Sequence, residues 1–220
     1  MTDLPFRDRR HAGQVLAGRL GHWRQRPGLL VLALPRGGVP VADEVARALD
    51  APLDVLVVRK LGAPWHPEFA IGAIASGGVR ILQPEADAMS NADIDRMVRK
   101  EQAELAGRER LYRGDRPGPT LAGRDVILVD DGLATGSTML AAAQAARAQQ
   151  PAALCVAVPV GAASSCALLA EVADEVVCAE TPEPFRAVSL WYQQFPQTSD
   201  EEVRSILTDA ARRLVPAALS

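Results

Sequence analysis

Aromatic side chains are scarce in this 220-residue chain, with four Phe, three Trp and two Tyr. A core built on aromatic packing is therefore excluded, and Ala, Val and Leu must fill the interior of a chain that is 48% hydrophobic. That composition suits helices packed on a buried sheet. Cysteine is scarcer still. Cys155, Cys166 and Cys178 are odd in number and far apart in sequence, which excludes a disulfide framework, matches no zinc spacing, and reads as small buried apolar groups. Neither sign of charge dominates: the net charge is −3, spread along the chain, so the sequence predicts no nucleic-acid surface and no basic block for an acidic membrane. Any phosphate ligand must be held locally. No long apolar run follows Asp3, Arg7, Asp8, Arg9 and Arg10, so neither a signal peptide nor a membrane span is expected and the protein is expected to be cytoplasmic. His11, His22 and His66 are scattered and suggest neither a metal site nor a triad. The length suits one domain, taken as residues 1–220.

What is present is an alternation of strands and helices. Ala12, Val15, Leu16, Leu20 and Trp23 recur at helical steps behind a potential Asp8 cap, and Pro27-Gly28 ends the pattern. Leu29 to Leu34 is a continuous apolar run, as in a strand buried on both faces; Pro35-Arg36-Gly37-Gly38 breaks it before a helix from about Val41 to Leu49. Leu53 to Val58 predicts a second buried strand, 60–69 a loop, and Ile71–Ala75 with Val79–Leu82 a hairpin around Gly77-Gly78. Residues 91–111 form a charged helical stretch with few core candidates, joined by a Gly/Pro-rich connection over 113–123. Val126–Val129 is the clearest strand, followed by a helix from about Ser137 to Gln149; strands at Leu154–Val158 and Val176–Cys178 flank an Ala/Leu helix, and Ser199-Asp200-Glu201-Glu202 opens a last helix. The expected class is α/β, a Rossmann-like, mainly parallel sheet flanked by helices, with its ligand site beyond the carboxyl ends of the strands.

That rule directs attention to the loops after Leu34, Val58 and Val129. In VILVDDGLATGSTM, residues 126–139, Asp130 and Asp131 leave the strand together, Gly132 and Gly136 permit close or left-handed backbone, and Thr135, Ser137 and Thr138 offer hydroxyls at a helix start. Free N–H groups and the positive end of the helix dipole there suit a phosphate without any Lys. Ionised carboxylates one loop away can accept hydrogen bonds from a vicinal diol. Phosphate plus diol describes a ribose 5-phosphate. An acidic pair alone would read as a helix-capping turn; the whole motif does not.

The motif resembles the signature of type I phosphoribosyltransferases, which bind 5-phosphoribosyl 1-pyrophosphate (PRPP) with Mg²⁺. The resemblance implies that Asp130 and Asp131 hold the ribose hydroxyls and that Ala134, Thr135, Gly136, Ser137 and Thr138 hold the 5-phosphate. Leu34-Pro35-Arg36-Gly37-Gly38 is similar to the family's pyrophosphate loop, often built with a non-proline cis peptide, which implies pyrophosphate contacts at Arg36, Gly37 and Gly38. Arg59 and Lys60, ending the next predicted strand, are expected to face the same pyrophosphate or to be solvated cations. The implied catalytic set is Asp130, Asp131, Arg36 and Lys60, with Mg²⁺ carried mainly by PRPP and no protein metal ligand assigned. Over its length the chain looks most like small bacterial phosphoribosyltransferase-domain proteins.

The acceptor is less constrained. Ala134 stands where the hypoxanthine-guanine enzymes carry an Asp facing the purine, which disfavours a 6-oxopurine; adenine and uracil enzymes carry Ala there. Trp191, Tyr192 and Phe195 cluster where the family places a hood, here expected from parts of 1–28 and 180–220, so they read either as base-stacking groups or as packing. Glu68 is a candidate proton acceptor or a plain surface carboxylate. The run Arg108, Arg110, Arg113 and Arg116 reads as a solvated face, or as part of a mobile flap within 83–120. The expected activity is transfer of the phosphoribosyl group to a nitrogen nucleophile, most simply a nucleobase; the alternative is a regulator that senses PRPP or nucleotides without transfer. The resemblance also implies a homodimer, and no nucleic-acid or membrane partner is expected.

Overall fold

Buried strands need apolar residues at consecutive positions because alternate side chains enter different cores. In the computed structural model, which describes residues 4–63, 66–84, 86 and 89–213 with the backbone alone for 66–70, β1 (Leu30–Ala33) is buried at every position. Val31 and Ala33 enter one core, and Leu30 and Leu32 the other. The same division holds in β6 (Asp125–Val129), where Ile127 and Val129 join the first core and Val126 and Leu128 the second. With β2 (Leu53–Val55), β7 (Ala153–Val160) and β8 (Glu175–Glu180) they form a five-stranded parallel sheet in the order β2-β1-β6-β7-β8. This is the α/β class read from the sequence.

One face carries α1 (Arg9–Arg19), α2 (Gly38–Leu49), α3 (Asn91–Arg113) and α6 (Asp200–Arg213), whose apolar residues lie in the first core. The other carries α4 (Ser137–Arg147) and α5 (Ala163–Leu169). The Asp8 side chain accepts from the His11 amide and caps α1, and the Ser199 hydroxyl accepts from the Glu202 amide at the start of α6. Strand order reverses between β1 and β6, so the loops after these strands diverge there and open a crevice.

Four expectations are corrected. The strand expected over 53–58 stops at Val55, and the chain re-enters extended structure at β3 (Val58–Ala63), in a separate antiparallel sheet with β4 (His66–Ala75) and β5 (Val79–Leu82). The loop expected over 60–69 is thus largely strand, with register shifts around Gly62 that blur its alternation. The charged helix α3 is anchored after all: Ile94, Val98, Leu105 and Tyr112 enter the first core, and Arg113, 4% exposed, donates to Asp54, to Glu109 and to the Val55 carbonyl. Buried by these partners, Arg113 is no solvated cation. Finally, α2 begins at Gly38 rather than near Val41.

Candidate functional site

The crevice is bounded by the loops that follow β1 and β6. Leu34 N–H donates to the Val129 carbonyl at 2.9 Å, and the Pro35–Arg36 peptide is cis. The next two residues have no room for a side chain. A Cβ at Gly38 would lie 2.7 Å from the Val129 carbonyl oxygen and 2.9 Å from the Asp130 Cα, and one at Gly37 would collide with the Asp131 carboxylate. The glycines of the 35–38 loop therefore bring its backbone against the acidic pair. Asp130 accepts from the Asp131 amide at 2.8 Å. Burial pushes the Asp130 carboxyl well above the ordinary carboxylate range, and the Asp131 charge adds to the rise. Asp131 is raised by burial too, against the pull of a neighbouring guanidinium.

On the other side of the pair, Gly136 takes a left-handed conformation (φ 71°) as the cap residue of α4, with no side-chain cap. Among the described residues no protein acceptor takes the amides of Thr135 to Met139, so these donors face the crevice unsatisfied. Thr135 Oγ1 and Ser137 Oγ are 3.2 Å apart, and Lys60 Nζ donates to Ser137 Oγ at 2.6 Å. The turn is held from beneath by Ser165, whose hydroxyl donates to the Ala134 carbonyl at 2.6 Å. Helix-start amides, hydroxyls and one ammonium gathered in this way are of the kind that suits an anion.

The chain matches the phosphoribosyl transferase domain family over residues 13–190. It belongs to that family. It is 48% identical over 210 residues to two Mycobacterium tuberculosis proteins, from strains CDC 1551 and H37Rv, each provisionally named a phosphoribosyl transferase; the match covers 94% of this chain and 47% of either relative, so the chain spans about half their length. It is also similar to the crystal structure of Thermus thermophilus TT1426, at 44% identity and a TM-score of 0.84, covering 93% of this chain and 98% of that one.

In this phosphoribosyl transferase domain the expected site residues do not all converge. Arg36 stays in the 35–38 loop, with Nη1 3.9 Å from Asp200 of α6. Asp200 is fixed in turn by Tyr112, whose hydroxyl donates to it at 2.7 Å. Arg59 is turned to α3, where it meets Glu101 at 2.7 Å, and Lys60 answers to Ser137. The sequence grouped both with Arg36, but β3 lies in the antiparallel sheet, where neighbouring side chains point to opposite faces.

The aromatic trio is divided as well. The Tyr192 hydroxyl donates to the Asp131 carbonyl at 2.6 Å. Its ring packs on Phe6 and Phe195, while Trp191 stacks on Phe185. Tyr192 and Phe195 thus wall the acidic pair. Sequence reasoning missed Arg9, which donates from Nε to Asp131 at 2.8 Å and lies 3.8 Å over the Phe195 ring. Asp8-Arg9-Arg10 carried no signal of this beyond a helix start. The side chains of Glu68 and His66 lie outside the described residues. Among the described residues no group of three or more His, Cys, Asp and Glu is placed to hold a metal ion, and no helix is long and apolar enough to cross a membrane. For Mg²⁺ the chain offers the acidic pair, half-buried oxygen donors of the type this hard cation accepts.

Proposed function

We propose that the domain is a Mg²⁺-dependent phosphoribosyltransferase that moves the 5-phosphoribosyl group of PRPP to a nitrogen nucleophile of the nucleobase class, with release of pyrophosphate. The observation that carries this reading is the packing of Gly37 and Gly38 on Asp131 and Asp130. It sets two carboxyl groups between a loop suited to a diphosphate and a helix start with free amides.

In this reading the amides and hydroxyls of residues 134–138 receive the 5-phosphate, aided by Lys60 on Ser137. Asp130 and Asp131 accept from the ribose hydroxyls and lie near the positive charge that develops on the ring. The 35–38 backbone and Arg36 receive the pyrophosphate, for which Arg36 leaves its long contact with Asp200. The acceptor nitrogen donates its lone pair to C1, the bond from C1 to the pyrophosphate oxygen breaks with its electrons on the leaving group, and the nitrogen's proton passes to solvent or base. The acidic pair would be the protein's oxygen donors for Mg²⁺, which would supply charge neutralisation for the leaving diphosphate when bound. The protein's work is mainly positional and electrostatic.

The hood consists of Phe6 and Arg9 with Tyr192 and Phe195, which meet over Asp131. Any closing motion within 83–120 leaves α3 in place, since Ile94, Val98 and Leu105 anchor it. The decisive assay is Mg²⁺-dependent pyrophosphate release from PRPP with a panel of nucleobases, adenine and uracil included. Turnover with one base and its loss in D130N/D131N are expected. Pyrophosphate release at the parent rate in that variant refutes the assignment, and PRPP binding without turnover on any base favours a sensor.

A further inference from the structure

The basic run at the end of α3 has no part in the site described above. Arg113 is buried, but Arg110 and Arg116 face Arg204 and Arg212 of α6 across a cleft of about 660 Å³. This is within the size range of small-molecule sites. Leu111, 41% exposed, and Ala211 give the cleft an apolar wall.

Four guanidiniums, from the end of α3 and the segment after it and from the 204–212 face of α6, call for an account. Cations at helix C-termini offset the dipole, but each end carries only about half a negative charge. Of the neighbouring carboxylates, Asp209 meets Arg212 at 3.5 Å, while Glu109 is taken by Arg113 and Asp200 by Tyr112 and Arg36. Among the described residues Arg110, Arg116 and Arg204 meet no carboxylate within 4.0 Å. Three of the four guanidiniums are thus left without a carboxylate partner among the described residues, Asp209 serving only Arg212. Guanidiniums rather than ammoniums suit bidentate contact with phosphate oxygens. The cleft has a physical link to the crevice: Tyr112 lines it, and its hydroxyl holds Asp200, the partner of Arg36.

We propose that the cleft between the C-terminal turn of α3 and the 204–212 face of α6 binds a small polyphosphate anion, and that its occupancy is communicated to Arg36 through Tyr112 and Asp200. The binding half stands by itself; the communication rests on the proposed role of Arg36 with pyrophosphate.

The test is calorimetric titration of the full chain with inorganic tripolyphosphate and, in a separate arm, with a nucleoside triphosphate. R36A/K60A, added to D130N/D131N, is used to disable the proposed PRPP site, because it removes the cations assigned to the phosphates as well as the ribose acceptors. One saturable equivalent is expected, weakened at least tenfold by adding R110A/R204A. Tighter binding of the nucleotide than of tripolyphosphate assigns the Leu111 wall to a base, and equal binding assigns the site to the phosphates alone. In the parent background R110A/R204A removes the same equivalent, so the result does not depend on the folding of the acidic-pair variant. Absence of saturable binding, or binding that R110A/R204A leaves unchanged, overturns the proposal. For the communication, tripolyphosphate at saturation is expected to change the KM for PRPP at least threefold in the parent and not in Y112F; an unchanged KM in the parent overturns that half. A chain that binds tripolyphosphate but never turns over PRPP fails the proposed function and leaves the cleft standing.

Discussion

Replacing Gly38 by Ala tests the crevice at its tightest point. The added Cβ would stand 2.7 Å from the Val129 carbonyl oxygen and 2.9 Å from the Asp130 Cα. Both are backbone atoms of the β6 end, so no side chain can rotate away. To reach the 3.4 Å at which ordinary contact begins, the loop must retreat by about 0.7 Å from the carbonyl. Overpacking of this kind costs about 1–3 kcal/mol. At roughly 2–4 °C per kcal/mol for a domain of this size, thermal unfolding should fall by about 2–12 °C. The retreat also widens the gap between loop and acidic pair, so PRPP affinity should drop with stability. G37A is the control, because its Cβ meets the far end of the Asp131 side chain, which can turn. It should keep most of the stability but pull Asp131 from the 2.8 Å bond to Arg9, lowering PRPP affinity about tenfold, the equivalent of about 1.4 kcal/mol and less than a charge-assisted hydrogen bond contributes. The assay pairs a melting curve with a PRPP titration. A G38A protein that melts within a degree of the parent and binds PRPP equally would refute the close approach and the reading built on it.

Asp130 should be costly to the fold. Its carboxyl is raised above the unfolded value, chiefly by burial, so the stability linked to it is full below about pH 4 and is lost as pH rises through the folded value. D130N should therefore melt higher than the parent at pH 7, the advantage vanishing near pH 4, while turnover is abolished; equal melting at pH 7 would contradict the burial argument. Ser165→Ala removes the 2.6 Å bond to Ala134 and should cost about 1 kcal/mol of stability, with a raised KM for PRPP and little change in kcat. Among the cysteines, Cys166 should alkylate first. Its neighbour Cys178 lowers it to about 7 by hydrogen bonding, whereas burial raises Cys155. The rate with iodoacetamide, followed by peptide mass, should therefore climb through pH 7, and C178A, which removes the donor, should shift that climb towards the usual thiol range.

Legibility followed the range of the forces involved. The β1 run could be read because burial on both faces forces an unbroken apolar stretch, and Asp8 and Ser199 because caps act within three residues. The acidic pair and the loop at 134–138 are contiguous in sequence, so their chemistry was on view. Arg9 reaches Asp131 across 122 positions, and Lys60 reaches Ser137 across 77. No local pattern encodes such contacts. Arg113 looked like its exposed neighbours because Asp54 and the Val55 carbonyl, far off in the chain, mark its place as interior. The cysteines illustrate the same limit: distant in sequence, Cys166 and Cys178 lie with both sulfurs 3.3 Å from one point above Gly161.

The cover of Asp131 also bears on the order of assembly. Phe6 pairs with Tyr192, and Arg9 donates to the Pro196 carbonyl across 187 positions. Among the contacts around the crevice these close the longest loops, and such contacts form late because chain closure must be met before they stabilise anything. During synthesis the helix start at Ser137 and the glycine loop can take shape before the segment from Tyr192 to Pro196 has emerged from the ribosome, but the cover cannot. A nascent or truncated chain ending before about residue 190 would display an open acidic crevice without its aromatic wall. The cover over Asp131 would then form in one step, when the segment around Tyr192 emerges and joins Phe6 and Arg9.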